Sequence, residues 1–181
     1  MILGDWIKNI SIDTIPSEQM QMIAEHCGIA DAVSLMQHLP GIEIYVPAAG
    51  KKRIEQQYIH ENYNGTNAST IAVKLGLDRE KVKHLAKLEL NTQVLSNYYM
   101  RLVAERCGEP VAIRLMQNFA RYKFYVPRDG FSIVRRKFIE QSFNGSNVSE
   151  LALTCKVTER HVRKVISDMY NATAQTSLFS V

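Results

Sequence analysis

The sequence predicts a mainly α-helical fold. It reads as two tandem helix–helix–strand–helix–helix-turn-helix repeats forming an intramolecular pseudo-dimer with a short antiparallel two-stranded ribbon. Three observations predict this. Residues 20–86 align with residues 100–166 at a constant offset of eighty without a gap, and 20 of 67 positions are identical. Apolar residues recur at helical spacing through most of each copy. One short aromatic and β-branched run per copy reads as a strand. A repeat this long is a duplicated small domain, not a solenoid unit, and two copies of one fold tend to pack as a dimer would. A copy of about 70 residues has a marginal core alone, so the copies gain by sharing one.

Boundaries follow from the repeat: an N-terminal segment (1–19), a first repeat (20–88), a linker (89–99), a second repeat (100–168) and a tail (169–181). The N-terminal segment, which carries Trp6, is expected to pack on the first repeat. In the second repeat Met100, Leu102, Val103 and Cys107 share one helical face. Gly108 punctuates that helix and Pro110 suits the first turn of the next. Val111, Ala112, Leu115, Met116 and Phe119 continue the core face. Tyr122–Val126 is the strand, ended by Pro127, and the first repeat supplies Ile42–Val46 and Pro47. One strand per copy leaves ladder groups unpaired, so each strand is expected to pair with its counterpart.

A basic helix follows Gly130, with Val134, Phe138 and Ile139 inward and Arg135, Arg136 and Lys137 outward. It ends at Phe143-Asn144-Gly145. Asn147 and Glu150 read as a capping box for a helix carrying Leu151, Ala152 and Cys155. After Lys156-Val157, Thr158 caps a last helix with Val162, Val165 and Ile166 inward. The first repeat reads the same way, through Lys51, Lys52 and Arg53, then Tyr63-Asn64-Gly65, Asn67, Ala72, Gly76-Leu77 and the cap Asp78. The tail from Asn171 is small and polar and is expected to be mobile.

The last two helices of each repeat have the layout of a helix-turn-helix, at about 67–87 and 147–167. A small residue (Ala72, Ala152) allows close crossing, a glycine (Gly76) makes the bend, and an apolar residue (Leu77, Val157) plugs the core. Lys156 stands where the second turn should have glycine, so it must adopt an unfavourable dihedral or change the turn. The outward residues are Arg79, Lys81, Lys83, His84 and Lys87 in the first unit, and Arg160, His161, Arg163 and Lys164 in the second. With Lys51–Arg53 and Arg135–Lys137 they form a basic set suited to a DNA groove and its phosphates. The first repeat is neutral by count and the second carries +6, so the second faces a polyanion more strongly.

Tyr125-Val126-Pro127, the helix ending Phe143-Asn144-Gly145, Ser146-Asn147-Val148-Ser149-Glu150-Leu151-Ala152 and Thr158–Val162 resemble the Mor transcription-activator family of transposable phages. Tyr45-Val46-Pro47, Tyr63-Asn64-Gly65, Asn67 and Asp78–Val82 carry the resemblance into the first repeat. It implies an N-terminal helical and β dimerisation region, a DNA-binding helix-turn-helix and activation through contact with RNA polymerase. Both halves in one chain favour a monomeric pseudo-dimer over a homodimer.

Other classes find little support. The five histidines (His26, His38, His60, His84, His161) form no metal or catalytic spacing, and no GxSxG or phosphate-loop glycines occur. No enzyme and no cofactor is expected. Cys27, Cys107 and Cys155 read as buried apolar side chains in a reducing compartment. No apolar run reaches the roughly 20 residues of a membrane span, and the start of the chain does not read as a secretory leader. The expected function is a double-stranded-DNA-binding transcription regulator, an activator, in the cytoplasm and associated with the nucleoid. Two half-sites should lie about 10 bp apart or a multiple of that. The rivals are a repressor with the same DNA chemistry and a protein-interaction module that kept the helix-turn-helix fold.

Overall fold

A computed structural model describes residues 4–48, 50–88 and 97–178, with side chains outside positions 50, 51 and 172–178. Most of the linker (89–96) and the end of the tail (179–181) lie outside the described residues. Among those described, ten α-helices and one two-stranded antiparallel sheet follow two short 3-10 turns, Asp5–Asn9 and Ile12–Thr14. The helices are α1 Glu18–Cys27, α2 Ile29–His38, α3 Gly50–Asn62, α4 Ala68–Leu75, α5 Arg79–Lys87, α6 Tyr98–Cys107, α7 Glu109–Asn118, α8 Gly130–Ser142, α9 Val148–Cys155 and α10 Glu159–Leu178. The strands are β1 Glu43–Tyr45 and β2 Lys123–Tyr125. Every helix start from α1 to α5 recurs eighty residues later.

Compactness divides the chain into two units. A terminal unit takes the described parts of Met1–Glu43 and Tyr125–Val181, and a central unit takes Ile44–Phe124. The terminal unit therefore holds α1, α2, α8, α9 and α10, and the central unit holds α3 to α7. Each unit joins helices of one repeat to helices of the other.

In the terminal unit α1 packs on α2, and α2 on α8. Met20, Ile23, Leu35, Met36, Val134 and Ile139 are fully enclosed. The turn between α1 and α2 needs φ +104° at Gly28, and the α6–α7 turn needs +102° at Gly108, a region that favours glycine. Pro110 occupies the first turn of α7, where a missing N–H costs nothing. In the central unit α6 packs on α7, and α3 packs on both α7 and α5. Ile59, Ala68, Ile71, Ala72, Val82 and Leu85 form a buried cluster there.

The strands pair as expected. Val46 N–H donates to Tyr122 O and Arg121 N–H to Val46 O, while Val126 N–H donates to Ile42 O, each at 2.9 Å. That register sets Ile44 opposite Phe124, and both are buried, with Tyr45 and Tyr125 on the exposed face.

The N-terminal segment packs on α1 and α2, as expected of the first repeat, and also on α9. Trp6 lies 5.0 Å from the Phe138 ring and 6.1 Å from Phe131, centroid to centroid. It is buried together with Ile7, Ile10 and Ile15. Two readings differ from the structure. Helix α10 continues to Leu178, because Asn171–Leu178 contains no glycine or proline to stop it. Cys27 and Cys107 sit half-buried at helix ends, whereas Cys155 is buried.

Trp6→Ala should destabilise the chain by about 3 kcal/mol, the usual cost of truncating a buried indole. Urea unfolding followed by circular dichroism measures it, and a change below about 1 kcal/mol would show that the segment is not part of the core.

Candidate nucleic-acid interface

The two segments that the sequence reads as helix-turn-helix units, α4–α5 and α9–α10, are built alike. In the central unit α4 leads through Gly76 into α5. Gly76 is left-handed (φ 62°, ψ 34°), and Leu77 N–H donates to Ala72 O at 2.9 Å. Asp78 caps α5 by accepting from Lys81 N–H at 3.2 Å. In the terminal unit α9 leads through Lys156 into α10. Lys156 takes nearly the same left-handed angles (φ 53°, ψ 49°), and Val157 N–H donates to Ala152 O at 2.9 Å. Thr158 Oγ1 accepts from His161 N–H at 3.2 Å. The lysine keeps the turn and bears the dihedral cost.

The entry loops are braced by crossed asparagines. Asn64 Oδ1 accepts from the N–H groups of Thr66 and Asn67, and Asn67 Oδ1 accepts from Asn64 N–H, all at 3.1 Å. Asn67 Nδ2 donates to Asn62 O at 2.9 Å. Asn144 and Asn147 repeat the pattern, with Nδ2 on Ser142 O. These side chains are turned back into the loop, so neither Asn67 nor Asn147 caps its helix. The capping box read from Asn147 and Glu150 does not form. Gly65 and Gly145 supply the positive φ that lets the loop close, beyond the ends of α3 and α8.

Around these frames the basic side chains divide into groups. On α5, Val82 and Leu85 are buried, while Arg79, Lys81 and His84 are exposed. Half-buried Lys83 pairs with Glu80 at 2.9 Å, and the pairing holds the Glu80 carboxyl below its usual range. On α10, Val162, Val165 and Ile166 are buried, while Arg160, His161 and Lys164 are exposed. Arg163 is exposed but held by Glu159 at 2.6 Å. Ser149 Oγ also donates to Glu159, at 2.6 Å, tying the start of α9 to the start of α10. The serine bond, then the arginine charge, holds the Glu159 carboxyl low. Sequence reading missed this brace, since Ser149 and Glu159 show no periodic signal that pairs them.

The helix before each helix-turn-helix behaves differently from expectation in the terminal unit. Arg135 is half-buried, with its guanidinium 5.3 Å from the Phe131 ring centre. Arg136 donates to Glu140 at 2.8 Å and lies 3.8 Å from Asp168. Lys137 reaches Asp13 O at 3.4 Å. All three make contacts inside their own unit. In the central unit Lys52 is exposed and Arg53 half-buried. Lys51 lies within α3, its side chain outside the described set.

The described residues hold no cluster of three or more His, Cys, Asp or Glu arranged for a metal ion. Burial pushes the Cys155 thiol up to about 11, with a small opposing pull from Arg135. It is therefore a neutral core side chain at physiological pH. No described helix is long and apolar enough to cross a membrane.

A sequence model of the Mor transcription activator family matches residues 79–177, more than half of the 181-residue chain. The match takes in α5 and the whole second repeat. No curated protein and no solved structure matches the chain.

Lys156→Gly should stabilise the chain by about 0.5–1 kcal/mol. It removes left-handed strain of about 1–2 kcal/mol and adds back part of it as unfolded-state entropy. The midpoint of thermal or urea unfolding measures this, and a destabilisation would mean the lysine side chain stabilises the turn by more than the strain.

Proposed function

This chain belongs to the Mor transcription activator family, and from that premise we propose that it is a sequence-specific double-stranded-DNA-binding activator that uses both helix-turn-helix units. One observation carries the reading. Two capped helices of matching build each bury an apolar face and leave basic and imidazole side chains in solvent. The readers among them are Arg79, Lys81 and His84 on α5, and Arg160, His161 and Lys164 on α10, leaving aside Lys87 at the end of α5 and Arg163, which is held by Glu159. A helix of this kind enters a major groove with its N-terminal residues at base edges. Lys52 and Lys83 serve the phosphates, as do Lys51, Arg53 and Arg163. Arg135, Arg136 and Lys137 order the terminal unit and do not read bases. The chain acts as a monomeric pseudo-dimer on the bacterial or phage-infected cell's nucleoid.

The two helices are not copies of one reader. At the repeat's offset Arg79 corresponds to Glu159, Glu80 to Arg160, Lys81 to His161 and His84 to Lys164. Arginine and glutamate reverse at adjacent positions, so the DNA site should consist of two dissimilar halves.

A second reading has one observation in its favour. Val73 and Leu153, equivalent residues on α4 and α9, are 86% and 81% exposed. A paired exposed aliphatic on each unit suits a protein contact, of which RNA polymerase is the partner an activator needs. Val73→Ser with Leu153→Ser should leave DNA retention unchanged and lower promoter activation severalfold. Unchanged activation would remove this surface from the reading.

Arg160→Ala with Lys164→Ala should weaken specific DNA binding by at least about tenfold, from the 1–3 kcal/mol of a good base contact. The log–log salt slope should fall by about 0.9 for each of the two side chains that meets a phosphate in the wild-type complex. Footprinting and salt titration with the full chain measure both. An unchanged footprint and slope would reject these residues as readers, and no retention of random or genomic DNA would reject the function.

A further inference from the structure

Among the described residues a left-handed backbone occurs at four positions of each repeat, and the four coincide at the offset of eighty. Gly28 and Gly108 pair at φ +104° and +102°, and Gly65 and Gly145 at +93° and +97°. The other two pairs are unequal. Gly41 (+75°) is matched by Arg121 (+67°), and Gly76 (+62°) by Lys156 (+53°). The first repeat has glycine at all four positions, and the second repeat has a long cation at two of them.

The backbone does the same work in both members of each unequal pair. Gly41 N–H donates to Val126 O and Arg121 N–H to Val46 O, each at 2.9 Å. Leu77 N–H and Val157 N–H close the other two turns on Ala72 O and Ala152 O, also at 2.9 Å. Each turn therefore forms without a side chain, and a side chain there adds strain. When such a position loses its glycine, asparagine and aspartate tolerate it best. Neither is found. Both replacements are basic and both are exposed. What arginine and lysine share, and the cheaper residues lack, is a positive charge on a long stem.

Each replacement falls beside a second difference in charge. Lys123, two residues after Arg121, stands where the first repeat has Glu43. Glu159, three residues after Lys156, stands where the first repeat has Arg79. The first difference makes the turn into β2 doubly cationic. The second removes a cation from the start of α10, and Lys156 returns one to the turn just before it. Given the DNA-binding function proposed above, on which this rests, we propose that Arg121 and Lys156 are contacts to DNA phosphates, retained despite the strain. Lys156 supplies beside α10 the charge that Arg79 supplies on α5. A basic side chain that meets a phosphate releases a counterion whatever the base sequence, so both contacts raise affinity without choosing a site.

The test titrates the full chain against a genomic DNA fragment that the wild type retains, between about 50 and 200 mM salt, and records the midpoint of thermal unfolding. Arg121→Gly and Lys156→Gly should each lower the log–log salt slope by about 0.9, so that the loss of affinity over that range shrinks about threefold. Each should also raise the unfolding midpoint by about 1–4 °C as the strain is relieved. Arg121→Gln and Lys156→Gln should lower the slope equally and leave the midpoint in place, because they remove the charge and keep the side chain. Lys156→Arg should keep the wild-type slope. An unchanged slope in either glycine variant overturns the contact at that residue and leaves the DNA-binding function standing. A slope that falls with glycine and not with glutamine also overturns it, because the effect then follows the backbone and not the charge. No retention of DNA by the wild type overturns both.

Discussion

In the terminal unit Met36 of α2 lies so close to Gly130 of α8 that a Cβ at 130 would come within 2.5 Å of the methionine sulfur. The two residues come from different repeats, and the rest of the architecture depends on packing of this kind. Helix α2 finds its cover in α8, while α7 finds its cover in α3. A copy of about 70 residues has too little interior to bury these faces alone. Crossing partners lets two marginal copies build two adequate cores. The consequence is that neither terminal helix pair, α4–α5 or α9–α10, is an independent attachment, because each packs on a helix, α3 or α8, that the other repeat's α7 or α2 covers.

That packing explains which basic residues remain available. A helix preceding a helix-turn-helix has to carry the covering helix on one side, and in the terminal unit it also meets the N-terminal segment. Arg135 over Phe131 and Lys137 on the Asp13 carbonyl follow from that crowding. Helices α5 and α10 pack on α3 and α8 instead, and their outer faces meet solvent. Local turn chemistry fixes their direction. The crossed asparagines set the entry, the left-handed residue sets the bend, and Leu77 or Val157 locks it to Ala72 or Ala152. The Lys156 backbone matching that of Gly76 shows how strongly this bend is imposed, since a side chain tolerates strain there rather than release it.

Much of this was legible in the chain. Spacing of Val82 and Leu85, or Val162 and Ile166, placed the buried faces, and Tyr-Val-Pro placed both strands. Periodicity reports that a face is buried and is silent about what covers it, so the exchange of helices between repeats had no signature in either copy. Three other features were hidden for the same reason. Asn67 and Asn147 read as caps because their residue type suits caps, yet a neighbouring asparagine offered a better arrangement within the loop. Arg135 and Lys137 read as solvent-facing because charge suggests solvent, yet both are half-buried, since long arginine and lysine stems can lie along apolar surface, whereas Arg136 is exposed as expected. Ser149 with Glu159 is a contact between two helices, which no single-helix pattern encodes.

Joining the two halves in one chain removes a restriction that symmetric dimers obey. In a homodimer any change at a reader helix or a pocket occurs twice. Here each can change once. The reversal of Arg79-Glu80 against Glu159-Arg160 is such a change at the starts of α5 and α10. Trp6, against Ala86 at the counterpart position, is another. Both are asymmetries at equivalent positions on matching frames, and neither disturbs the turn geometry that the two units share. The basic excess is likewise concentrated in the second repeat. Because the units exchange helices, however, unit charge does not follow the repeats: Ile44–Phe124 carries thirteen Lys/Arg against seven Asp/Glu, so +6, whereas the rest of the chain carries nine against eleven, so −2.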